Sequence, residues 1–123
     1  KTKVSALSAI GEGVEFASPW GKGIGVETQN DRVHVLAERQ GYQTAVWKDP
    51  RKGNVRIYIH PEAKGADLTP VLTEIRRRDP RSDWFLHASK RLLLNGSRTN
   101  PVARPTTLTL AEIIGIIQRV RTS

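Results

Sequence analysis

Between Tyr42 and Ile75 the spacing of apolar residues switches from one period to another, and this switch limits the possible folds more than any other feature of the chain. Tyr42 to Lys48 and Val55 to His60 have the composition and alternation of strands, with Val55, Ile57 and Ile59 on one face and Arg56, Tyr58 and His60 on the other. From there the apolar positions are Leu68, Val71, Leu72 and Ile75, the i, i+3, i+4, i+7 stripe of a helix with one buried side. A chain holding both patterns has to lay helices on a sheet. The fold class is therefore α/β (α+β), a single small domain with a mixed β-sheet and about three helices packed on it.

Turn and cap residues extend this reading in both directions. Asp49-Pro50-Arg51-Lys52-Gly53-Asn54 consists of turn formers and makes residues 42–60 a hairpin. Asp67-Leu68-Thr69-Pro70 opens the helix, Pro80 stops it, and Arg76, Arg77 and Arg78 fall in its last turn, where positive charge favours the helix dipole by roughly 0.3–1 kcal/mol each. Upstream, 14–17 and 23–28 have strand character around the turn Ser18-Pro19-Trp20-Gly21. A short helix over 32–40 follows, with Asn30-Asp31 as its N-cap and Gly41 at its C-terminus. Downstream, 84–87 and 92–94 read as short strands, 98–106 as an extended connection, and Thr109 with Glu112 as a capping box. That box opens a helix with the stripe Leu110, Ile113, Ile114 and Ile117, closed by Arg119 and Arg121. The order is β-β-α-β-β-α-β-β-α.

With 123 residues and 37% hydrophobic composition, one domain over 1–123 can bury a core. No cysteine is present, which removes disulfides and thiolate metal sites. No apolar run approaches the roughly 18 residues of a membrane span, and no leader opens the chain, so a cytoplasmic location is expected. Methionine is missing even at position 1, which reads as a processed or excised piece of a longer protein.

The net charge is +8 and unevenly spread. Residues 1–62 hold nine Lys/Arg against seven Asp/Glu, and residues 63–123 hold eleven against five. The stretch from Arg76 to Arg104 has eight basic residues opposed only by Asp79 and Asp83. Such a field favours polyanions. The candidate phosphate or nucleic-acid contacts are Arg51, Lys52, Arg56, Arg77, Arg81, His87, Lys90, Arg91 and Arg98, because guanidinium forks bind phosphate and nearby aromatic faces stack bases. Trp84 and Phe85 lie among them, but as part of a short apolar run they are expected in the core.

Catalytic and cofactor patterns are weak. Gly21-Lys22-Gly23-Ile24-Gly25 lacks the glycine a P-loop needs five residues before its Gly-Lys pair, Phe16 standing there instead; it reads as a glycine-lined turn entering an edge strand. His34, His60 and His87 have no metal-pair spacing, so no metal and no cofactor is expected. Neither Ser89 nor Ser97 sits in a nucleophile elbow, and Asp79 and Asp83 flank a proline turn as turn formers. No autonomous catalytic motif stands out. Asn95-Gly96-Ser97 is a turn that also fits the glycosylation pattern.

Gly23 to Glu27, Val33 to Glu38, Gly41-Tyr42 and Ala45-Val46-Trp47, followed by Asn54 to Ile59 and Asp67-Leu68-Thr69, form a strand–helix–strand pattern. Over roughly residues 23–76 it resembles the DHH-associated substrate-binding domain, the C-terminal domain of DHH-type phosphoesterases. The glycines that precede a histidine in that family are replaced here by the segment 84–91, and the catalytic Asp-His-His motif is absent. The resemblance implies a piece that grips the phosphate end of a nucleotide, with Arg56, His87 and Lys90 as its contacts, while chemistry happens elsewhere. The expected function is a non-catalytic polyanion-binding module for nucleic acid or a nucleotide. The alternatives are the phosphoesterase substrate-binding domain and a protein-interaction domain that meets an acidic partner.

Overall fold

A computed structural model describes residues 13–29, 32–96 and 104–120. The described elements are β1 (Val14–Ser18), β2 (Gly21–Glu27), α1 (Val33–Arg39), β3 (Thr44–Lys48), β4 (Val55–Ile59), α2 (Thr69–Arg78), β5 (Phe85–Leu86), β6 (Leu92–Leu94) and α3 (Leu110–Arg119). Their order is the one read from the sequence. The six strands form one mixed sheet in the order β1-β2-β3-β4-β6-β5, in which only β2 and β3 run parallel.

The helices cover the two faces of this sheet unequally. On one face Val33, Leu36 and Ala37 of α1 pack on Ile24 and Val26 of β2 and Ala45 and Trp47 of β3. On the other face α2 and α3 share a larger core, in which Leu68, Val71, Leu72, Ile75, Ile113 and Ile117 meet Val46, Val55, Ile57, Ile59 and Leu93. The alternation of β4 decides this: Val55, Ile57 and Ile59 are 0% exposed beneath α2 and α3, whereas Arg56 and Tyr58 point to the α1 side.

Several expectations change on contact with the structure. Strand β2 is interior, because β1 pairs with its outer side, so the glycine-rich segment does not enter an edge strand. Its glycines serve close packing. A Cβ on Gly23 would stand 2.6 Å from the Phe16 ring, and one on Gly25 2.5 Å from Ile114 Cδ1. Helix α1 is capped at Arg32 with no side-chain bond, Asn30-Asp31 lying outside the described residues; Gly41 follows its C-cap with φ +90°, as a glycine after a helix should. The capping box of Thr109 and Glu112 forms in full.

A buried polar network joins the end of α2 to the segment leading into α3. Asn95 is 0% exposed; its Nδ2 donates to the carbonyls of Asp83 (2.8 Å) and Arg104 (3.0 Å), and its Oδ1 accepts from Thr106 N–H (2.8 Å). This occupies the amide that glycosylation would need. Asp79, 5% exposed, accepts from Thr106 Oγ1 (2.6 Å) and Thr107 N–H (2.8 Å), so it is a structural acceptor rather than a simple turn former. Burial by itself would raise the Asp79 pKa, but the donors on Thr106, Thr107 and Ser82 outweigh it and hold the carboxyl below its ordinary value.

These features give two expectations. Gly23→Ala, which drives a methyl into the Phe16 ring, should lower stability by about 1–3 kcal/mol. Gly115→Ala, on α3 where a methyl meets nothing within 4 Å, should raise it by up to about 1 kcal/mol in the same denaturation experiment. Because the folded pKa of Asp79 is depressed, its contribution is full above the unfolded value near ~3.9 and is lost as pH falls through the lower folded value. Asp79→Asn should therefore cost about 1.5–3 kcal/mol near neutral pH. Urea titrations of the two proteins should draw together as pH falls below the unfolded value and through the lower folded one.

Candidate functional site

Among the described residues, the short α1 leaves half of one sheet face open. Its packing ends at Tyr58, and among the described residues Leu92, Leu94 and Phe85 belong to neither buried cluster. Register places Trp47, Arg56, Leu94 and Phe85 directly opposite one another in one row across β3, β4, β6 and β5, so their side chains share a face. Trp47 is buried under α1, Arg56 and Leu94 are half-buried, and Phe85 at the far end is 58% exposed. The row runs from dry to wet.

The strand period separates two aromatics that are adjacent in sequence. Trp84 is half-buried against the α2–α3 core with its Nε1–H donated to Ser82 Oγ (2.7 Å), and Leu86 follows it there. Phe85, between them, points the opposite way. Trp84 thus joins the core as expected and Phe85 does not. Alternation in 84–86 signals that the two rings diverge, but nothing local shows which face lacks a helix.

Along the inner border of the open face stand groups that the sequence did not single out as a site. The His34 ring of α1 stacks on Trp47 (centroids 5.8 Å, planes 15° apart) and tilts against Tyr58 at 5.1 Å. Tyr58 donates its hydroxyl to Glu38, and its pKa is pushed up to about 12, first by burial and then by that carboxylate. His34 Nδ1 is buried without a hydrogen-bond partner.

The basic residues gather at the two ends of the strands. At one end lies the β3–β4 turn, where Asp49 Oδ1 accepts from the backbone N–H groups of Arg51 (2.7 Å) and Lys52 (3.1 Å). Burial would raise the Asp49 pKa, but these donors and Gln29 hold it low. The carboxylate is turned onto the backbone, and the Arg51 and Lys52 side chains face solvent. The C-terminus of α2 reaches this same end on the other face, since Asp79 bonds Thr106 and Thr107 and the Gly53 site of the turn lies near Pro105 and Thr106. There Glu74 pairs with Arg77 (2.6 Å) and Arg78 (2.8 Å), and the two guanidiniums hold its carboxyl at about 2. Arg76 and Arg81 are exposed with no ion pair among the described residues.

At the opposite end the β5–β6 turn collects His87, Ser89, Lys90 and Arg91 beside His60. Arg91 Nη1 donates to the His60 carbonyl (2.7 Å) and ties the start of β6 to the end of β4. His87 Nδ1 accepts from Ser89 N–H (3.0 Å) and His60 Nδ1 from Glu62 N–H (3.0 Å), so each neutral ring carries its proton on Nε2. Lys90 has φ +62°, a left-handed conformation where hairpins of this kind usually place glycine. Its charge reinforces the low pKa of Asp67, which rests first on hydrogen bonds from Thr69.

The fold therefore divides the basic run 76–104 between two ends of the sheet, with Arg56 in the row between them. His87, Lys90 and Arg91 come together, as do Arg51 and Lys52; Arg77 is engaged by Glu74, Arg81 stands apart, and Arg98 lies outside the described residues. No group of three or more His, Asp or Glu among the described residues could hold a metal, and no described helix is long and apolar enough to cross a membrane. Comparison with protein families, curated proteins and solved structures finds no match.

The Lys90 geometry separates charge from backbone strain. Lys90→Gly should raise stability by about 1–2 kcal/mol by removing the left-handed penalty. Lys90→Ala removes the same charge and keeps the penalty, so its melting temperature should stay close to that of the natural protein.

Proposed function

We propose that this domain is a non-catalytic polyanion-binding module whose ligand is nucleic acid. One observation carries the reading: among the described residues most carboxylates are engaged by backbone donors, hydroxyls or basic side chains, while a set of basic side chains stays exposed. Asp49 and Asp67 cap turns, Glu112 completes a capping box, Asp79 is buried, Glu15 and Glu38 accept from tyrosines, and Glu74 and Asp83 pair with arginines. Arg51, Lys52, Arg76, Arg81, His87 and Lys90 remain exposed. A surface built this way presents positive potential to solvent at both ends of the sheet, which suits a polymer of phosphates. The absence of cysteine agrees with action in the cytoplasm.

A second reading gives the same surface to a phosphoesterase of the DHH type as its substrate-gripping piece. The parallel β2–α1–β3 unit favours it, because it falls on the residues that carry the resemblance. Under that reading a nucleoside monophosphate binds about as well as a longer strand.

The test is a salt titration of oligonucleotide binding. The logarithm of affinity should fall linearly with the logarithm of salt concentration, and Arg51→Ala with Lys52→Ala should weaken binding to all sequences and reduce the slope by roughly 1–2. Replacing Arg76, Arg77 and Arg78 by alanine should weaken binding as well. A lower melting temperature with unchanged binding would assign those three arginines to the helix terminus alone. Absence of binding to any oligonucleotide at low salt overturns the proposal.

A further inference from the structure

We infer that the open half of the sheet is a stacking platform for the bases of a single strand, with Phe85 as the ring that receives a base; this rests on the polyanion reading above. Phe85 is the most exposed large apolar side chain described, at 58%, and it stands on a sheet surface rather than at a loop tip. Side chains on a sheet project roughly perpendicular to it, so the ring is held by β5 and reached from the open side. Directly beside it lie Leu94 and then Arg56, which offer an apolar floor and a planar cation, both suited to the face of a base.

The surroundings narrow the ligand further. Helix α1, with His34 and Glu38, walls the inner side, leaving a shelf over β4, β6 and β5 about 10 Å across at ordinary strand spacing. Cations lie at both ends of that shelf, Arg51 and Lys52 at one and Lys90, beside His87, at the other, separated by the length of β4, about 13 Å for its five residues. A strand running along β4 and β6 can place phosphates at both ends and a base between them on Phe85. Of the nearby carboxylates, Asp83 is paired with Arg104, and Glu38 stands with Tyr58 at the α1 border rather than beside Phe85.

A duplex does not suit this arrangement, because the faces of paired bases are covered by their neighbours and exposing one requires extruding the nucleotide. A protein partner fits less well than a nucleic acid. One phenyl ring and two half-buried leucines offer little of the roughly 800 Å² per side that a stable interface buries, and the rims are cationic.

The experiment is fluorescence anisotropy at low salt with a labelled six-nucleotide single strand, its duplex, and a labelled polyglutamate peptide, together with sedimentation of the protein alone. The single strand should bind on the order of tenfold tighter than the duplex or more. Phe85→Ala should weaken single-strand binding by roughly 5- to 150-fold with an unchanged melting temperature, and Phe85→Trp should restore it. Equal affinity for strand and duplex, unaffected by Phe85→Ala, overturns this inference and leaves the polyanion reading standing. Tighter binding of polyglutamate that depends on Phe85, or a dimer that Phe85→Ala dissociates, overturns it in favour of a protein partner or a second copy. No binding to any nucleic acid overturns both readings.

Discussion

The buried amide of Asn95 holds together segments that have no regular structure of their own. Its side chain bonds the Asp83 carbonyl just before β5, the Arg104 carbonyl, and the Thr106 N–H just before α3. A fully buried amide has to satisfy its donors and acceptor inside the protein, so this geometry is fixed by the cost of leaving any of them unpaired. Asp79 adds a charged acceptor to the same place, binding Thr106 and Thr107 from the end of α2. Together they set where the two-residue strand β5 joins the sheet, and with it where Phe85 stands.

The second constraint is the length of α1. Seven residues suffice to cover β2 and β3 but not β4, β6 and β5. On the opposite face α2 and α3 have ten residues each and close the core, helped by Gly23 and Gly25, which let Phe16 and Ile114 come directly onto the sheet. Among the described residues the same sheet is thus dry on one side and half open on the other. Electrostatics follows the same division: carboxylates serve as caps, turn acceptors and pair partners, while the cations that close α2 or occupy the strand-end turns meet water.

Much of this was readable from residue order. The period-two pattern at 55–59, the stripes at 68–75 and 110–117, the capping box at Thr109 and Glu112 and the turn at 49–54 all reappear, because each is governed by local geometry. The glycine-rich segment 21–25 was legible as something other than a phosphate loop, but its role needed Phe16 and Ile114, one strand away and some ninety positions away in sequence. The exposure of Phe85 differs from the expectation because it is not decided by its neighbours in the chain.

The sequence by itself determined the elements, their order and the excess of positive charge, since propensity, capping and alternation act over a few residues. Only the tertiary structure decided that β2 is interior, that Asp79 and Asn95 are buried acceptors and donors, and that the basic run splits between the ends of the sheet. Those outcomes depend on which strands pair and which face each helix covers. Such choices are fixed by burying apolar surface across long chain separations, and so Phe85, indistinguishable from Trp84 as a hydrophobic residue, ends in water beside Leu94 and Arg56.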